Sequence, residues 1–353
     1  MRTIDVVRYS LKPLAILLLT LPLAAQGQVR ILQSNAAGDR VHLIDPVTNK
    51  VVGEITGIET AHGITASPDA TRIFVSNEAD KTLDVVDVKT LKVMKKIPLS
   101  GRPNNIAITP DGKKVYVGIR QGGESPGVAD IIDTASLTKV KSVRTEGPVH
   151  NLYVTLDGKF MFAGDGTPHG YVSVIDTQTD TPAWSVKFDG PIRPMTSDKN
   201  PDGSTRNLYV QWGDENGFAV VDFKTHKITQ TILEYPKLAA GRTPILAGSG
   251  EAHGLAVTPD QKTLVACSRL NNAVYSYSLP DLKLAGTANL SGKGCAWLTV
   301  TPDGKRAYAA DPVGNSTLVV DIPTMKEVAK IAVGQVPKRN HTMVVPAGRA
   351  ATQ

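Results

Sequence analysis

Three of the seven histidines, His62, His150 and His253, stand six residues ahead of a turn that recurs along the chain. With the turns anchored on Pro68, Pro110, Leu156, Pro201, Pro259, Pro302 and Pro346, that offset reads His62, Asn104, His150, Met195, His253, Ala296 and Asn340, and His341 follows one residue later. Imidazoles sharing one register in alternating units could converge on a metal ion, a haem-like ligand or an anion. The plainer alternative is a set of polar groups lining a channel and hydrogen-bonded to loops and water. A metal would need ring nitrogens about 2 Å away, and no H-x-H or H-E-x-x-H run supplies a local pair.

A second set of charges flanks these positions. Arg120, Asp165, Asp214, Arg269 and Asp311 close short apolar stretches that follow the turns, and Arg102 and Arg193 precede others. Mixed acids and bases suit a polar ligand or a general base; His150 with Asp165 or Arg120 is the nearest set for hydrolysis. They equally suit a salt-linked loop shell. Residues 236–250 and 120–127 form loops long enough to cover a ligand, or are ordinary loop variation. Asp45, Asp87, Asp133, Asp176, Asp222 and Asp321 are read as turn residues that bond their own backbone, not as a carboxylate ring.

Cys267 ends the second stretch of one unit and Cys295 lies in the loop entering the first stretch of the next, both on one face. A disulfide between them closes a 28-residue separation; the alternatives are two small buried apolar residues, or Cys295 as a soft metal ligand beside His253.

The elements that position these residues are visible as a repeat. Thr109-Pro110-Asp111-Gly112 returns as Ser67-Pro68-Asp69, Thr155-Leu156-Asp157-Gly158, Asn200-Pro201-Asp202-Gly203, Thr258-Pro259-Asp260 and Thr301-Pro302-Asp303-Gly304, with Val345-Pro346 degenerate. The anchors are 42, 46, 45, 58, 43 and 44 residues apart. Pro second, Asp third and Gly fourth suit a tight β-turn. Each turn joins two short stretches rich in Val, Ile and Tyr, a third ends in Asp, and a fourth follows. Four short antiparallel strands per unit of this length predict a β-propeller blade, and seven anchors predict seven blades. Residues 29–34, 41–45 and 51–55 match the last three strands of a blade, and residues 342–345 match an orphan first strand. The termini should therefore share one composite blade, which removes the open sheet edges of an unclosed array.

In IAITPDGKKVYVGI, VSVIDTQTDTP and LTVTPDGKRAYAADP the chain resembles the YVTN-type propeller repeat over residues 29–346. The resemblance implies an exported seven-bladed propeller near the lactonase-like and amine-dehydrogenase-like groups. It speaks for fold more than for function, because the shared motifs are turns and strands.

Composition agrees. The chain has 353 residues, 41% hydrophobic and 20% charged, which is enough for a sizeable core. A net charge of +6 with no Lys/Arg block leans only weakly towards acidic partners. Arg2, Arg8 and Lys12 precede an apolar run at 14–23 and then Ala24-Ala25-Gln26-Gly27, the pattern of a secretory signal peptide, with an uncleaved anchor as the alternative. The expected organisation is a signal peptide over 1–27, a propeller over 28–347, and a disordered tail over 348–353 in a bacterial periplasmic or secreted protein. No membrane span is expected after cleavage.

Trp184, Trp212 and Trp297 are too scattered for a nucleic-acid stacking surface, and no phosphate loop, Gly-x-Ser-x-Gly elbow or CxxCH haem attachment occurs. The expectation is a ligand- or protein-binding scaffold with no catalytic motif and no cofactor, a metal ion being the one exception considered. Its partner would be a small molecule or protein at the channel-mouth face, touching His62, Asn104, His150, His253, His341, Arg102, Arg120, Asp165, Arg269 and Asp311. A lactonase-like hydrolase and a redox-associated accessory propeller, metal- or haem-linked, are the alternatives.

Overall fold

The computed structural model describes residues 27–120, 126–232 and 251–346. Residues 1–26, where a signal peptide is expected, residues 347–353, most of the 120–127 loop and the 236–250 loop lie outside the described residues. Those described form twenty-eight strands, numbered β1 to β28 in chain order, in seven four-stranded antiparallel sheets, with no helix among them. The all-β seven-bladed ring expected from the repeat is what the chain adopts.

Each blade runs from an inner strand beside the axis to an outer strand at the rim. The inner strands are β4 (Ala61–Ala66), β8 (Pro103–Ile108), β12 (Val149–Val154), β16 (Ile192–Lys199), β20 (Ala252–Val257), β24 (Trp297–Val300) and β28 (Pro337–Val345). The second strands are β5 (Arg72–Asn77), β9 (Lys114–Ile119), β13 (Phe160–Asp165), β17 (Thr205–Trp212), β21 (Thr263–Ser268), β25 (Arg306–Asp311) and, in the composite blade, β1 (Gln28–Asn35). Inner and second strands are buried almost throughout because blades pack on both their faces. The outer strand β7 (Lys92–Pro98) instead exposes Lys92, Lys95 and Lys96, charges that blunt an open edge.

The ring closes as a composite blade in which β28 pairs with β1, followed outward by β2 (Arg40–Asp45) and β3 (Lys50–Thr56); Gln28 pairs with Val345 and Leu32 with His341. Its C-terminal strand is longer than the sequence match, beginning at Pro337.

The repeated turns have the chemistry their residues imply. Thr109 Oγ1 donates to Asp111 Oδ1 (2.6 Å), Gly112 N–H donates to the Thr109 carbonyl (2.8 Å), and Gly112 has φ +72°, a region that favours glycine. The aspartates ending third strands bond their own turns, as Asp87 does with Thr90 N–H (2.8 Å) and Asp222 with Thr225 N–H (2.7 Å). Large side chains six residues beyond the anchors seal the blades together. Phe74, Tyr116, Phe162 and Tyr308 are fully buried, and the Tyr116 hydroxyl donates to Asp180 of the next blade (2.6 Å).

Candidate functional site

The turns joining inner to second strands gather on one face, so the starts of inner strands and the ends of second strands ring the opposite mouth of the channel. The sequence does something particular there. In six of the seven blades the inner strand carries one extra residue relative to its partner near its start: pairing shifts between Ala61 and Ile64, Pro103 and Ile106, Val149 and Asn151, Ile192 and Met195, and Ala252 and Leu255, and between Gln33 and Asn35 opposite β28. Such bulges re-aim side chains. His62, Asn104, His150, Arg193 and His253 all lie in them.

Two of the three histidines in register meet. The rings of His150 and His253 stand edge to face with centroids 5.8 Å apart. The His253 Nδ1–H donates to the Ala296 carbonyl (2.5 Å), and His150 Nδ1 lies 3.1 Å from the Ile192 carbonyl and 3.0 Å from the Asn151 amide. In both rings Nδ1 is therefore engaged, while Nε2 makes no hydrogen bond among the described residues. Burial, reinforced by nearby arginines, holds both pKa values well below 6.5, so both rings are neutral at physiological pH. Among the described residues no three His, Cys, Asp or Glu side chains cluster as a metal would require.

His62 is drawn elsewhere. Its Nδ1 contacts Glu78, whose other oxygen takes Arg102 Nε–H (2.8 Å). Burial opposes ionisation of Glu78, but the bonds from His62 and Arg102 prevail and hold it down to about 2. Burial brings His62 to about 4 despite that carboxylate. Glu78 is a site residue that the sequence reading missed. It stands ten residues after its anchor, as Arg120 and Arg269 do after theirs, and that shared offset was the available signal.

The larger omission is Arg339. It is 2% exposed and reaches from the composite blade across the axis. Its Nη2 donates to Asn151 Oδ1 (2.8 Å) and towards Asn104 Oδ1 (3.4 Å), and its guanidinium stacks on Trp297 at 3.8 Å. It therefore touches residues of three other blades. Seven residues before the anchors the sequence reads Ala61, Pro103, Val149, Pro194, Ala252, Cys295 and Arg339; one cation in a small, apolar register marks the exception.

Around Arg339 the mouth is cationic. Burial lowers Arg339 to about 9, Arg269 to about 10 and Lys338 to about 8, with repulsion from neighbouring arginines adding to each. Arg193 is lowered by burial, partly offset by Asp214. All four stay protonated at neutral pH. Arg193, Lys338 and Arg339 make no ion pair among the described residues, and the buried Nε atoms of Arg193 and Arg339 have no hydrogen-bond partner. The nearest buried carboxylate, Glu78, is already held by His62 and Arg102.

Other candidate residues have structural duties. Asp165 accepts from Thr167 N–H (2.8 Å) and Thr167 Oγ1 (3.0 Å), with no hydrogen bond to His150, so the pairing considered for hydrolysis is not formed. Asp311 accepts from Lys293 N–H, Gly314 N–H and Ser316 Oγ, clasping its own loops. His341 lies deeper in the channel, and burial lowers it to about 4. Cys267 and Cys295 are joined as a disulfide between adjacent blades, Cα atoms 6.1 Å apart. That bond tethers the loop whose Ala296 carbonyl holds His253.

No family model matches the chain, so the YVTN-type resemblance reaches no further than fold, and no curated protein matches either. Solved structures do match. A hydrazine synthase chain from Kuenenia stuttgartiensis is 21% identical, with 88% of this chain and 99% of that chain covered and a TM-score of 0.68. The dihydro-heme d1 dehydrogenase NirN in complex with DHE is 15% identical, with 92% of this chain and 78% of that chain covered and a TM-score of 0.64. At these identities the likeness is one of fold, and the protein is a seven-bladed β-propeller.

Proposed function

We propose that this chain is an exported binding propeller whose channel mouth takes an anionic small molecule. The observation that carries the reading is the cluster of buried Arg193 and Arg339 with half-buried Lys338, none of the three in an ion pair among the described residues and the Nε atoms of Arg193 and Arg339 without a hydrogen-bond partner. Neighbouring like charges repel, as Arg269 and Arg339 do in lowering Lys338, and each buried cation also gives up hydration. A bound carboxylate or phosphate would relieve both costs. Arg120 and Arg102 extend the positive rim, and the neutral His150 and His253 supply Nε2 atoms to orient the ligand. The disulfide supports export, since such bonds persist in oxidising compartments.

Isothermal titration with inorganic phosphate and citrate at low salt tests this. Binding that weakens with ionic strength, and falls at least tenfold in Arg193→Gln and Lys338→Met, is expected. No binding of either anion, or affinities unchanged in both variants, would overturn it.

A second reading is favoured by the paired, unengaged Nε2 atoms. An iron tetrapyrrole bears carboxylates for the cations and a metal for an imidazole, and one structural neighbour is the dihydro-heme d1 dehydrogenase NirN in complex with DHE. Under that reading the protein is a redox accessory. Titration with haemin separates the two: a Soret shift lost in both His150→Ala and His253→Ala supports it, and an unshifted Soret band refutes it.

A further inference from the structure

The cations of the mouth stand at two separate poles. Inner strands follow one another around the channel in the order β28, β4, β8, β12, β16, β20, β24. Arg193 on β16 and the Lys338–Arg339 pair on β28 therefore start three blades apart, on opposite sides of a seven-bladed ring. Their electrostatics agree. Arg339 is repelled by Arg269 and Arg120, and Arg193 by Arg120, while Arg193 and Arg339 do not shift one another. The Nε atoms of both are buried without a partner.

The paired imidazoles fill the gap between the poles. His150 Nδ1 lies 3.1 Å from the Ile192 carbonyl, and Arg193 is the next residue. The His253 Nδ1–H donates to the Ala296 carbonyl (2.5 Å), and Trp297, the next residue, carries the Arg339 guanidinium at 3.8 Å. Each ring thus adjoins one pole, and the two rings are 5.8 Å apart. Arg193 and Arg339 both act on both rings. With Nδ1 protonated, the Nε2 of His253 is a bare lone pair. An anionic oxygen held between the rings would face that lone pair, whereas an uncharged chain would not. The mouth therefore favours negative charge at its two ends and not in its middle.

We propose that the mouth takes a short dicarboxylate, with one carboxylate at Arg193, the other at Lys338 and Arg339, and its uncharged chain across the paired imidazoles. This rests on the reading of the mouth as an anion site and narrows it to a ligand with two separated charges. Once one carboxylate is held, the second contact is intramolecular, so a ligand that spans both poles outbinds one that reaches a single pole.

Isothermal titration with succinate, glutarate, butyrate and inorganic phosphate at matched ionic strength tests this. The better of the two dicarboxylates should bind about tenfold or more tightly than butyrate, and more tightly than phosphate. Arg193→Gln and Lys338→Met each remove one pole. Either should bring the dicarboxylate down towards butyrate while leaving butyrate, which still has a pole to bind, within about threefold of its original affinity. Circular dichroism melting selects the variants that fold. If phosphate and butyrate bind and neither dicarboxylate gains over them, the two-pole site is overturned and the anion reading stands. If no anion binds, both fall. A preference for the dicarboxylate that survives unchanged in either folded variant would likewise overturn the proposal.

Discussion

Lowering the pH from 7.5 to 5 should strip stability from the ring, and the buried histidines set the size of the loss. His62 titrates near 4 in the folded protein, against an ordinary 6.5. The unfolded chain therefore takes up a proton first, and stability falls as pH drops from about 6.5 towards 4. For a separation of about 2.5 units the loss is roughly 2 kcal/mol by pH 5, approaching 3 near pH 4. His341 shows a similar depression, and His150 and His253 move in the same direction. His62 and His341 together would remove roughly 4 kcal/mol by pH 5, and His150 and His253 add to the loss in the same direction, against the 5–15 kcal/mol typical of a folded domain. Glu78 does not confuse the window. Its depressed pKa contributes stability fully above about 4.5, and this fades only as the pH falls from there towards 2. Urea denaturation at pH 7.5, 6.5, 5.5 and 5.0 reads the effect as a falling midpoint. In His62→Gln the slope against pH should shrink by about one proton. Identical unfolding free energies at pH 7.5 and 5.0 would refute the assignment of these rings as buried and neutral.

Four further outcomes are expected. Cys267→Ser should lower unfolding free energy by roughly 3–4 kcal/mol from loop closure across 28 residues; thermal melts with and without reductant read this, and a melt insensitive to both changes would count against it. Removing residues 337–346 takes out the inner strand of the composite blade and should abolish the cooperative melt; an intact melt would mean that the ring does not rely on terminal pairing. Anion affinity at the mouth should decline as pH rises through about 8, where Lys338 loses its proton, and Lys338→Met should flatten that decline; a profile indifferent to Lys338 would remove it from the site. Gly63→Ala should destabilise by about 1–3 kcal/mol, because its Cβ would meet the Asn104 carbonyl oxygen at 2.7 Å and Ile106 N at 2.8 Å, both backbone atoms; unchanged stability would show that the neighbouring blade yields there.

What the sequence determined by itself is everything whose cause is local. Thr-Pro-Asp-Gly builds its turn from its own hydroxyl and carboxylate, so the unit announces itself wherever those residues recur. The short Val/Ile stretches around it must pair antiparallel, and an unmatched strand at each end leaves ring closure as the way to satisfy both edges. The turn duty of Asp87 and Asp222 follows from the same locality. The site was legible only in part. The shared offset of His62, His150 and His253 placed them at one level, but tertiary structure decided that two of those rings meet while the third turns to Glu78. Arg339 shows the reason most plainly. Its partners Asn104 and Asn151 lie 235 and 188 residues away, and the three converge only because the rotations of successive blades bring them to a common axis. A bulge of one residue sets which way each side chain leaves its strand. Those rotations and bulges are sums of packing between neighbouring blades, so the cationic mouth exists only once the ring is closed.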